Sequence, residues 1–118
     1  MTRKTLPRAV VPFANSGCWI VGSSAQPDDK LRRDIDILVP YELWPNVAAL
    51  IPEDARPNRQ GGWKFTIADE ELAMHFELDV WPDSLARFLG VTGSSWAWHP
   101  LSDRYWSWVE LSKEDENA

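Results

Sequence analysis

Two runs of strict alternation dominate the middle of the chain. Trp63, Phe65 and Ile67 are separated by Lys64 and Thr66; Met74, Phe76, Leu78 and Val80 are separated by His75, Glu77 and Asp79. A period of two sends successive side chains to opposite faces of a strand, so each run has one apolar face and one polar face. Asp69-Glu70-Glu71 between them is turn-forming, which predicts an antiparallel hairpin with His75, Glu77 and Asp79 on its polar side. Two further strands are expected upstream. Cys18-Trp19-Ile20-Val21 is a short buried run stopped by Gly22-Ser23-Ser24, and Ile35 to Val39 ends at Pro40.

Helices are expected to be short, because nine prolines punctuate the 118 residues. Pro7 and Pro12 limit the first 17 residues to a turn or two, and Ala25 to Arg33 reads as a loop. One helix is predicted from Trp44 to Ile51, with Pro45 in its first turn. Another runs from an Asp83 cap through Leu89 and stops at Gly90. The length predicts a single domain over 1–118. Five of the eight tryptophans (Trp81, Trp96, Trp98, Trp106, Trp108) fall in the last third, in or beside an extension over 83–112 whose element type the pattern does not decide. So much indole either builds a core or meets a partner. Residues 113–118 read as a frayed acidic tail.

Charge excludes some function classes. A net charge of -6 argues against gripping long duplex nucleic acid through clustered Lys and Arg. It leaves room for a nucleotide whose phosphates are held through divalent cations. The lone Cys18, read as a buried thiol, excludes an internal disulfide and fits a reducing, cytoplasmic compartment. No signal pattern or membrane-length apolar run is present.

The chemistry concentrates in three carboxylates. Asp34 and Asp36 lie two apart in a strand and leave the same face, while Ile35, Ile37 and Val39 point to the core. Adjacent carboxylates repel and call for a compensating cation. Asp79 has the same setting between Leu78 and Val80, and Glu77 on that face is an alternative third acid. If the strands are neighbours, these acids form a hard oxygen cage suited to Mg²⁺. Upstream, the Gly22-Ser23 turn, with Ser24 following, has the bare Cα and the hydroxyls that suit phosphate oxygens.

Gly22-Ser23, followed ten residues on by Asp34-Ile35-Asp36-Ile37-Leu38-Val39 and later by Leu78-Asp79-Val80, resembles the signature of the nucleotidyltransferase superfamily that includes DNA polymerase β. The length is similar to that of its minimal stand-alone, antitoxin-type members. The resemblance covers residues 18–82 and implies an α/β (α+β) fold, a mixed, mostly antiparallel sheet flanked by short helices. It also implies Mg²⁺-dependent transfer of a nucleoside monophosphate from NTP, with Asp34, Asp36 and Asp79 as catalytic ligands of two Mg²⁺ ions and Gly22, Ser23 and Ser24 at the nucleotide. Minimal members often continue Ala-Arg-Gly after Gly-Ser; here the stretch is Ala25-Gln26-Pro27, so Arg32, Arg33 or Lys64 is the candidate for a phosphate contact. Lys30, Arg32 and Arg33 serve equally well as charge balance beside the acids.

The expected partners are an NTP and an acceptor on a protein, an RNA or a small molecule, with a homodimer or a toxin-like partner compatible with the small size. The rival expectation is a catalytically inactive module of the same fold that binds a partner protein through its Trp-rich end. Two-metal phosphate-ester hydrolysis leaves the Gly-Ser turn unexplained. Ser23 is not a covalent nucleophile, since only His75 and His99 exist and neither is near it in sequence.

Overall fold

The computed structural model describes residues 3–5, 7–25, 32–93, 96–100 and 105–110. Among the described residues, eight strands form one sheet: β1 (Arg3–Thr5), β2 (Trp19–Val21), β3 (Asp34–Val39), β4 (Arg56–Pro57), β5 (Trp63–Asp69), β6 (Met74–Pro82), β7 (Trp96–Pro100) and β8 (Tyr105–Glu110). Their order across the sheet is β1-β8-β7-β2-β3-β6-β5-β4. Every neighbouring pair is antiparallel except β3 and β6, which run parallel. Three short α-helices among the described residues complete an α+β fold: α1 (Val11–Asn15), α2 (Trp44–Ala48) and α3 (Leu85–Thr92).

Alternation along the strands produces two unlike faces. On one, Ile20, Ile35, Ile37, Val39, Phe65, Phe76, Leu78 and Val80 are buried in a single cluster with Val10 and Phe13 from the α1 region and Val47 from α2. The Phe13 and Phe65 rings stack tilted at 6.3 Å between centroids. The opposite face is only partly covered. There Val21, Leu38, Trp81 and Ala97 form a smaller cluster, capped by Leu85 and Phe88 of α3. The remainder of that face carries the acids.

The expected hairpin is β5–β6, with Phe65 opposite Leu78 and Ile67 opposite Phe76. Several boundaries differ from expectation for local reasons. The segment Tyr41–Leu43 is a 3-10 turn, and α2 ends at Ala48 rather than at residue 51. Asp83 does not cap α3. Ser84 does, accepting the Arg87 N–H at 3.3 Å, while Asp83 turns inward and is 2% exposed. Gly90 does not stop the helix, which continues to Thr92 and ends at Gly93 with φ +72°. An interior glycine weakens a helix but does not end it; a residue in the left-handed region does. The aromatic stretches near residues 96–99 and 105–111 contribute β7 and β8, and β7 pairs with β2 at Ile20–Trp98. The side chains of Trp96, Trp98, Trp106 and Trp108 lie outside the described residues, as do Lys30, Gln26-Pro27 and the tail from 111. Trp81 belongs to the core, at 3% exposed. Among the described residues, no helix is long and apolar enough to cross a membrane.

Candidate functional site

The parallel pairing of β3 with β6 puts Asp36 directly beside Asp79 and Asp34 directly beside Glu77. Paired residues in a ladder point to the same face, so Asp34, Asp36 and Asp79 share the partly open side of the sheet. The row continues across the sheet in both directions. Val21 is the partner of Asp36 on β2; Lys64 is the partner of Asp79 on β5, and Arg56 the partner of Lys64 on β4. Two carboxylates and two cations therefore lie in one line, with the end of β2 at its acidic end.

That end is where the chain turns. Gly22 has φ +75° and opens a 3-10 turn through Ala25. A Cβ on Gly22 would collide with the Asp36 carboxylate, lying 3.3 Å from its Cγ. Glycine is thus required twice, for its dihedral and for the close approach. The Ser24 hydroxyl donates to the Asp34 carbonyl, which fastens the turn to the start of β3. Ser23 is exposed and Ser24 buried, so of the two predicted phosphate-facing serines only Ser23 presents its side chain to solvent.

Electrostatics single out Asp36. Its carboxyl is pushed up from 3.8 to about 6, first by burial, then by Asp79 and Asp34, with Lys64 opposing. Negative charge here exceeds the balancing charge nearby. The Asp79 Oδ1 accepts from the Asn58 Nδ2 at 3.3 Å, and Lys64 Nζ pairs with Glu77 Oε1 at 2.5 Å. Glu77 is thus engaged by Lys64, whereas Asp79 adjoins Asp36. Among the described residues, no three carboxylate, imidazole or thiolate groups are already drawn into a cation cage. Like charges hold apart until a cation offsets them. The donor set, hard oxygens aligned on one face, suits a divalent cation such as Mg²⁺.

The other predicted residues are placed less centrally. Arg33 is exposed at the β3 entrance, and its carbonyl accepts the Glu77 N–H at 2.8 Å. His75 is exposed on the same side as Glu77. Cys18 is buried in the opposite core, which pushes its thiol up to about 12. Sequence reasoning missed Asn58. Its Oδ1 accepts the Gly62 and Gln60 N–H groups at 2.7 and 3.1 Å, so one side chain shapes the 58–62 loop and touches Asp79. An Asn shortly before Gly61-Gly62 is a turn signal, but its reach to Asp79 comes only from the tertiary fold.

Comparisons with family models, with curated proteins and with solved structures found no match to this chain.

Proposed function

We propose that the chain is a metal-dependent nucleotidyltransferase of the polymerase β-like fold, moving a nucleoside monophosphate from an NTP to a hydroxyl acceptor on a protein, an RNA or a small molecule. The observation that carries this reading is the in-register pair Asp36–Asp79, with Asp34 on the same face and the Gly22 turn pressed against Asp36. Asp34, Asp36 and Asp79 would hold the cations. Bound Mg²⁺ would supply charge neutralisation at the phosphates and a lowered pKa for the attacking hydroxyl. The Gly22-Ser23 turn would receive phosphate oxygens on exposed N–H groups and the Ser23 hydroxyl, while Ser24 holds that turn on β3. Lys64 would exchange Glu77 for a phosphate, a low barrier because a surface pair is worth only about 0–1 kcal/mol.

Incubation with each α-labelled NTP, Mg²⁺ and lysate tests the reading. Label should pass to an acceptor and be lost with Asp34→Asn and with Asp36→Asn; unchanged transfer by either variant refutes the assignment. The contact between Asn58 and Asp79 favours a second reading, an inactive module of the same fold in which Asp79 is held by the protein itself and a partner protein binds at the Trp-rich end. A Mg²⁺·NTP thermal shift supports the enzyme, and no shift with any NTP supports the module.

A further inference from the structure

Beside the acids, on the same face, lies a pocket of about 370 Å³ between the 58–62 loop and α3. Trp81 lines it, two residues along β6 from Asp79 and therefore about 7 Å away on the same side of the strand. Phe88 stacks on Trp81 with ring centroids 5.8 Å apart and lines one wall together with Val91. Val91 is 73% exposed, the most exposed large apolar side chain among the described residues. Arg59 and Gln60 line it from the 58–62 loop. Neither side chain makes an ion pair or hydrogen bond among the described residues. Asn58 braces that loop, and Gly62 packs so tightly on β6 that a Cβ there would lie 2.6 Å from the Trp81 Cα.

Apolar side chains beside a guanidinium and an amide that have no partner among the described residues suit a flat heteroaromatic ring, and the Asp83–Arg87 pair at the start of α3 adds polar groups to the same lining. Such a ring stacks between guanidinium and hydrophobic side chains and offers its edge to an amide. We propose that this pocket is the nucleobase site, with the base between Arg59 and the Phe88–Val91 face of α3 and its edge toward Gln60. The inference rests on the nucleotidyltransferase reading above. A ribose and its 5′-carbon span the gap from a phosphate at the acids to this pocket. Asn58 links the two regions, since it touches Asp79 and is followed directly by Arg59.

Calorimetric titration with Mg²⁺·ATP and with Mg²⁺·tripolyphosphate tests the site without requiring turnover. Tripolyphosphate has the anionic chain but no base. The wild-type protein should bind ATP more tightly than tripolyphosphate. Arg59→Ala should weaken ATP binding by about 3- to 30-fold, the range for a guanidinium stacked on a ring, and leave tripolyphosphate binding unchanged. Val91→Glu, on an exposed position that the fold tolerates, should act in the same direction. Equal wild-type affinity for the two ligands overturns the base site and leaves the transferase reading standing, as does full ATP preference in both variants. Binding of neither ligand, and of no other Mg²⁺·NTP, overturns both.

Discussion

Replacing Asp36 with Asn should make the apo protein more stable at neutral pH. The carboxyl titrates near 6 in the folded chain and at 3.8 as a free group, so the native state binds its proton more tightly than the unfolded state does. The associated stability is fully present below pH 3.8 and is lost as pH rises through 6. Above that, ionised Asp36 works against folding. A rise of about two pH units corresponds to a ceiling of about 3 kcal/mol. Asp36 is only half-buried, and solvent screening reduces this to about 1–2 kcal/mol. For a chain of this size that is a Tm increase of about 3–10 °C. The assay is thermal unfolding of wild type and Asp36→Asn in EDTA, at pH 7.5 and at the lowest pH where both fold. The variant should melt higher at pH 7.5, and the gap should narrow toward acid. Adding Mg²⁺ should raise the wild-type Tm more than that of the variant. A variant no more stable than wild type at pH 7.5 would refute the claim that the acid row carries uncompensated charge.

Gly22→Ala should lower Tm and abolish any Mg²⁺·NTP shift, because φ +75° costs a non-glycine residue about 1–2 kcal/mol and the new methyl displaces Asp36. Asp83→Asn should destabilise by about 1–2 kcal/mol in denaturant titration, since a buried carboxylate loses its charged bond to the solvent-exposed Arg87, with Tyr41 and the Ser84 N–H sharing the site. The Arg87 hydrogen bond holds the Asp83 carboxyl below 3.8, so its stabilisation is present above that pH and lost as pH falls through the lower folded value. The penalty of Asp83→Asn should therefore shrink in acid. Cys18 should resist thiol reagents at pH 8 in the native protein and react promptly in denaturant, because its thiol is buried and titrates near 12.

Much of the sheet is readable in the sequence. The β5–β6 hairpin and the β3 strand rest on period-two patterning, which is local and unambiguous when one face is buried. Helix ends were less legible. Asp83 has the chemistry of a cap, yet the tertiary fold turns its carboxylate inward, where it pairs with the exposed Arg87, and Ser84 takes the role. Gly90 and Gly93 are equally suggestive in sequence, and only the left-handed backbone at Gly93 separates them. The aromatic end has no period to read, and its pairing with β2 joins Ile20 and Trp98, far apart in the chain.

Sequence alone determined which residues could form an acidic face, because spacing by two dictates side regardless of what the strand pairs with. It also determined that Gly22 lies at a strand end and that Asp79 has the same apolar flanks as Asp36. The pairing itself came from tertiary structure: β3 runs parallel to β6, which sets Asp36 against Asp79 rather than against Glu77, a choice that shifts with any slip in register. The same holds for Asn58 on Asp79, for Ser24 on Asp34 and for the pocket under α3. Each joins segments distant in the chain, and their meeting is set by how two unlike sheet faces are covered rather than by local preference.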